Sequence, residues 1–159
     1  MSEKVPMTPR GHGMLQEELR RLKTRERPRV VEAIKVAREH GDLSENAEYD
    51  AAKESQGHIE AKILLIEDKL ARAQVVDVAK QTPDRILFGT TVVLEDLDSG
   101  DEVTYTLVGE DEADIRQALL SVKSPVGRAL IGKRIDDAVV VTVPSGTKQY
   151  EVREIRVDT

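Results

Sequence analysis

Leu15, Leu19 and Leu22 follow one another at steps of four and three, and an apolar stripe resumes at Val30, at Ala33 or Ile34, and at Ala37. That is the spacing of one face of a helix. Thr8-Pro9 marks its start, with Thr8 as N-cap and Pro9 at the first helical position. Pro28 falls inside the stripe. It lacks the N–H for an internal helix bond and predicts a kink or break near Arg27, at a cost of about 3 kcal/mol. Gly41 can close the segment as a left-handed C-cap. A second helix begins within a few residues and runs to about Ala73. Its positions Ile59, Ile63, Ile66, Leu70 and Ala73 form a heptad seam, with Glu60, Lys62, Glu67, Asp68, Lys69 and Arg72 on the solvated faces. Two long helices with so short a connection are antiparallel neighbours. At 1.5 Å per residue, about 30 residues make a rod of roughly 45 Å.

After Gln74 the pattern changes. Val75-Val76-Asp77-Val78 and Thr90-Thr91-Val92-Val93-Leu94 are β-branched and read as strands; Asp96 to Gly100 is a turn, and Glu102 to Val108 alternates again. Ser124-Pro125 starts a short helix that closes at Gly132, and Val139 to Val143, a Pro144-Ser145-Gly146 turn and Tyr150 to Val157 make a second hairpin. The expected fold class is α+β. Residues 1–77 form an antiparallel coiled-coil hairpin, and residues 78–159 a small domain of antiparallel sheet with one short helix.

Composition sharpens this division. Charged residues make up 34% of the 159 and aromatics 3%, with no Trp and Phe88 the single Phe; the charged share exceeds the roughly 25% usual in globular domains. Such a chain suits solvent-washed helices better than a large aromatic core. Residues 1–75 hold 14 Lys and Arg against 14 Asp and Glu, which leaves 10 basic and 16 acidic residues for the remainder. The whole net charge of −6 therefore sits in the second half, which argues against general nucleic-acid binding through a basic surface. Absence of cysteine excludes disulfides, thiolate metal sites and a cysteine nucleophile. Neither an apolar signal core nor a membrane-length apolar run occurs, and a cytoplasmic protein is expected.

The chemistry concentrates at the hairpin tip, Gly41-Asp42-Leu43-Ser44-Glu45-Asn46-Ala47-Glu48-Tyr49. Asp42 with Glu45 three residues on has capping-box spacing, and acids favour a helix N-terminus. A calcium loop is excluded, because its sixth position would be Ala47 instead of Gly and its twelfth Lys53 instead of Glu. A third reading is a partial magnesium site. Two carboxylates cannot surround an ion that wants six oxygens, so such a tip would bind one only beside another macromolecule's ligands. Capping and lending are compatible. His12, His40 and His58 show no metal-ligand spacing, and the Arg20-to-Arg29 cluster interleaves with Glu17, Glu18 and Glu26 as a solvated face does.

Several runs resemble the Gre family of bacterial transcript cleavage factors: RPRVVEAIKVAREHGDLSENAEY for the first arm and tip, IEAKILLIEDKLARAQVVD for the second arm, and VGEDEADIRQALLSVKSPVGRALIGK for the C-terminal domain. The likeness runs from about Val5 to Val157. It implies an FKBP-like second domain and a factor that is not itself an enzyme. Its implied partners are bacterial RNA polymerase, at the rim and interior of the secondary channel, and the nascent RNA 3′ end, with no membrane and the factor acting as a monomer. By the same resemblance Asp42 and Glu45 are lent to the polymerase's second catalytic Mg2+, an ion that the factor does not bind alone. Ser44, Asn46 and Tyr49 support the attacking water and RNA end; Arg38 and Lys53 face the RNA. Asp111, Glu112, Asp114, Ser121, Ser124 and Pro125 lie in the stretch that docks on polymerase, although Ser124 and Pro125 equally cap a helix.

Three rival readings stand beside this one, the first from a different class. A peptidyl-prolyl isomerase needs an aromatic-lined pocket, for which this half offers Phe88, Tyr105 and Tyr150. An inhibitory homologue would block the channel without aiding cleavage, and a plain coiled-coil adaptor would have no use for the tip acids.

Overall fold

The structure, a computed structural model, describes residues 3–41, 46–77 and 83–158. The chain divides into two compact units, Met1–Lys4 with His12–Ala73, and Val5–Gly11 with Gln74–Thr159. The expected boundary lies at 77/78; by packing, the second unit begins at Gln74 and takes in the short segment Val5–Gly11.

The first unit is a helical hairpin built from α1 (Pro9–Arg21) from His12 onward, a π-helical turn (Leu22–Glu26), α2 (Arg27–Arg38) and α3 (Ala47–Ala71). Leu22, Ile63 and Ile66 are buried among Leu15, Leu19, Ile59 and Leu70. Towards the tip, Val30, Ile34 and Ala52 are buried with Tyr49 and Ile59. The stripe's ambiguity is thereby resolved, since Ile34 is buried and Ala33 exposed. Withdrawing a side chain such as Ile63 from water contributes about 2–3 kcal/mol. Lys23 pairs with Glu67 at 3.1 Å and Arg27 grips Glu60 with two bonds of 2.9 and 2.8 Å. As numbers rise along one arm they fall along the other, so the arms are antiparallel.

Pro28 neither breaks the first arm nor leaves it an ordinary α-helix. The turn just before it widens, and the Arg27 N–H reaches back to the Leu22 carbonyl, the five-residue step of a π-helix. The hydrophobic stripe supplies a second reason. Leu22 and Val30 both face α3 but stand eight residues apart; in an α-helix eight steps overshoot two turns by about 80°, whereas seven fall about 20° short. One extra residue in a widened turn brings Val30, Ile34 and Ala37 back onto the seam. At the far end, Gly41 has φ +106°, a conformation that glycine adopts without strain.

The second unit is organised by a five-stranded sheet in the order β5-β4-β3-β7-β6. Its strands are β3 (Thr91–Asp96), β4 (Glu102–Val108), β5 (Leu119–Ser121), β6 (Ala138–Val143) and β7 (Gly146–Arg156). The short ribbon strands β1 (Val5–Met7) and β2 (Ala73–Val75) form a separate pair. Asp96 turns β3 into β4 by accepting the Asp98 and Ser99 N–H groups at 2.9 and 3.3 Å. The sheet is mixed rather than wholly antiparallel, because β5 runs parallel to β4, with Thr106 opposite Leu119 and Val108 opposite Ser121. Helix α4 (Pro125–Leu130) starts at Ser124, whose Oγ accepts from the Gly127 N–H at 3.1 Å. Its Leu130 is buried in the core with Ile86, Val92, Leu94, Leu107 and Val152, among others. Tyr150 is buried there too, and Tyr105 packs against the same core. Of the strand expected at 75–78, Val75 ends β2, Val76 and Asp77 follow it, and Val78 lies outside the described residues. Among the described residues no helix is long and apolar enough to cross a membrane.

Candidate functional site at the hairpin tip

Asp42, Ser44 and Glu45 lie outside the described residues; the structure describes what brackets them. On one side α2 ends at Arg38 and the chain reaches Gly41. On the other, Asn46 begins α3 with extended backbone, and its Oδ1 accepts from the Tyr49 N–H at 3.1 Å. The same side chain's Nδ2 donates to the Ala37 carbonyl at 2.6 Å, across to the opposite arm. Nearby, His40 Nδ1 and Glu48 Oε2 stand 2.9 Å apart, also from arm to arm. Both side chains are more than half exposed, so the pair contributes at most about 1 kcal/mol. Among the described residues no three His, Cys, Asp or Glu side chains converge as a metal ion would require.

Tyr49 is half-buried against Val30, Ile34 and Ala52, and the Arg38 guanidinium stands over its ring, 5.9 Å from the centroid. Below the tip, Arg38, Lys53 and Lys35 line a groove of about 430 Å³ between α2 and α3, together with Val31, Ile34, Glu39 and Gln56. Lys53 Nζ donates to Gln56 Oε1 at 3.1 Å. Three cations around an open apolar floor can hold a phosphate-bearing strand, the cations meeting its charge and the floor its sugars or bases. Sequence reading named Arg38 and Lys53; Lys35 escaped it, although it stands three residues before Arg38 and so on the same helical face.

Farther from the tip the ionic network is structural. Arg27 holds the Glu60 carboxyl below its usual range through their paired hydrogen bonds, and Arg20 and Arg21 do the same for Glu17 and Glu18.

The six residues expected to dock on polymerase all fall in the second unit, in varied settings. Asp111 is exposed. Asp114 caps a 3-10 turn, Ile115–Gln117, accepting from the Arg116 N–H and Gln117 Nε2, each at 3.0 Å. Ser121 Oγ accepts from the Lys123 N–H at 3.1 Å, while its carbonyl takes the Ser124 hydroxyl at 2.6 Å. Pro125 is exposed at the first position of α4. Glu112 differs from the rest: only 6% exposed, it accepts from the Thr8 hydroxyl and pairs with Arg10 at 3.0 Å. The Thr8 hydroxyl in turn caps the Gly11 N–H at 3.0 Å. A Cβ on Gly11 would lie 2.7 Å from Glu112 Oε1, so glycine is what admits the carboxylate. Glu112 thus fastens the segment Val5–Gly11 to the sheet unit, and a partner could reach it only by unfastening that segment.

A family model described as transcription elongation factor, N-terminal, matches residues 5–75, and one described as transcription elongation factor, GreA/GreB, C-term, matches residues 80–157. The chain belongs to the GreA/GreB family of transcription elongation factors. It is 56% identical over 156 residues to transcription elongation factor GreA of Trichlorobacter lovleyi, covering 98% of this chain and 99% of that relative. To the GreA of Alkalilimnicola ehrlichii it is 58% identical over 154 residues, 96% of this chain and 98% of the relative. Among solved structures, GreA factor homolog 1 (Gfh1) of Thermus thermophilus is 29% identical with a TM-score of 0.44, over 97% of this chain and 99% of that one.

Proposed function

We propose that this factor is a cytoplasmic protein that enters the secondary channel of RNA polymerase and stimulates the polymerase's own hydrolysis of a backtracked RNA 3′ end. What supports the proposal is the position of Asp42 and Glu45 in the sequence, in the short segment that joins α2 to α3, in a chain matched by the family over both halves. Two carboxylates alone do not complete a magnesium shell, and Glu48, a further acid at the start of α3, faces His40. The donor set therefore fits an ion shared with another protein's ligands and not one held alone. Magnesium, when bound there, supplies charge to the attacking and leaving oxygens of a phosphodiester. The chain's own part is to deliver Asp42 and Glu45, with Ser44 and Tyr49 in support, and to hold the RNA 3′ segment along Arg38, Lys53 and Lys35. Docking falls to the second unit, through Asp111, Asp114, Ser121, Ser124 and Pro125, with Glu112 holding that face in shape from beneath.

The test is cleavage by a stalled, backtracked elongation complex supplied with magnesium. Asp42→Asn and Glu45→Gln should each lower stimulated cleavage by more than about ten-fold, a loss seen even for outer-sphere partners of a metal, while polymerase binding stays as in the parent. Undiminished cleavage with normal binding would refute the role given to these acids.

A further inference from the structure

Asn46 spends both ends of its amide inside the hairpin. Its Oδ1 starts α3 by accepting from Tyr49, and its Nδ2 reaches the Ala37 carbonyl at 2.6 Å. Ala37 is buried at 2% exposure and belongs to the last turn of α2, where helix carbonyls run out of intrahelical donors. One side chain thus caps the outgoing helix and ties it to the incoming one, adding a second bond to a carbonyl that also accepts from the His40 N–H at 3.2 Å. A serine or threonine could supply the cap, but only a side chain of this length with an N–H beside its acceptor spans to the other arm as well. We propose that Asn46 is a positioning residue, whose cross-arm bond to Ala37 fixes the spacing of the two arm ends that flank Asp42 and Glu45 in the sequence. This rests on the reading of those acids given above, and it departs from the role in handling water or RNA that the family resemblance implies for Asn46.

The two roles leave different signatures. A residue that fixes the spacing of the arm ends sets how readily the acids share a magnesium ion, so its loss is made good by more magnesium. A residue that touches the reacting water sets the rate itself, and no excess of magnesium replaces it.

Asn46→Ser, and Asn46→Thr as a second hydroxyl cap, keep the acceptor for Tyr49 and lose the donor to Ala37. Amide exchange of Tyr49 in the free factor reports the cap; titrations of factor and of magnesium in the backtracked-complex assay report docking and ion sharing. The expected result is retained Tyr49 protection and an unchanged half-saturating factor concentration. The magnesium needed for half-maximal cleavage should rise about five-fold, the equivalent of a hydrogen bond of about 1 kcal/mol, with the parental rate recovered at saturating magnesium. A parental magnesium requirement overturns the proposal, and so does a rate deficit that magnesium does not relieve. Loss of Tyr49 protection in both variants would place the role of Asn46 in the cap and overturn the cross-arm assignment. Asp42→Asn in parallel separates the two levels: full cleavage there removes the reading of the acids and this proposal with it, whereas an inactive Asp42→Asn beside a parental Asn46→Ser removes only this proposal.

Discussion

Deleting Thr24 tests whether the π-helical turn exists to reconcile Pro28 with the hydrophobic stripe. The deletion shortens the step from Leu22 to Val30 from eight residues to seven, a spacing that an ordinary α-helix carries with both side chains on the α3 seam. The widened turn is then no longer needed for register, but an ordinary α-helix would set the Pro28 ring against the carbonyl four residues back, costing about 3 kcal/mol. The deletion alone should therefore destabilise the hairpin by about that amount. Pro28→Ala alone should change stability by less than about 1 kcal/mol, because the eight-residue spacing still calls for the wide turn. Combined, the two changes permit a continuous α-helix in register, and the deletion should cost little in the Pro28→Ala background. The coupling expected from the cycle is about 2–3 kcal/mol, well above the roughly 0.3–0.5 kcal/mol within which independent changes add. Urea unfolding followed by far-UV circular dichroism measures all four chains. An additive cycle, or a Thr24 deletion no worse with Pro28 in place than with Pro28→Ala, would refute the account.

Two further predictions concern the rest of the chain. Because Arg27 depresses the Glu60 carboxyl in the folded state, the stabilisation from their pairing is present above the unfolded carboxylate range of about pH 4.3 and is lost as pH falls through the lower folded value; a plot of Tm against pH for Arg27→Gln should show a shallower acid limb, and an unchanged limb would count against the pairing. At Gly127 an added Cβ would lie 2.1 Å from the Ser121 carbonyl oxygen, so Gly127→Ala should destabilise the sheet unit by about 2–3 kcal/mol and lower its Tm by roughly 10 °C or more, whereas Gly13→Ala, with no atom within 4 Å, should be neutral or stabilising in calorimetry.

Much of this architecture could be read from single residues whose backbone roles are local. Thr8-Pro9 and Ser124-Pro125 announce helix starts, and Asp96 to Gly100 announces a turn, because each acts on atoms two or three residues away. Where the outcome depends on distant partners, the sequence is silent. Leu119–Ser121 is too short to show alternation, and its parallel pairing with β4 is set by the packing of the whole sheet. Glu112 reads as one more surface acid beside Asp111 and Asp114, since the groups that bury it, Thr8 and Arg10, lie more than a hundred residues earlier. The π-helical turn is an intermediate case. Its trace is the eight-residue gap from Leu22 to Val30, which the eye assigns to Pro28 alone. At the tip, the acids are visible in the sequence but the double engagement of Asn46 is not, because its second bond crosses to an arm whose angular setting the heptad leaves open.

Strand β7 lies between β3 and β6 and is bonded to both, with Thr91 opposite Arg156 and Val143 opposite Gly146. A central strand drawn from so late in the chain gives the two halves different timetables during synthesis. The helical hairpin can assemble once residue 71 has been made, from contacts that close progressively from the tip. The sheet must wait: until residues 146–156 exist, β3 and β4 present an unpaired edge that is open to other nascent chains. Premature termination within β7 would therefore yield a finished prong attached to an unfinished, adhesive sheet.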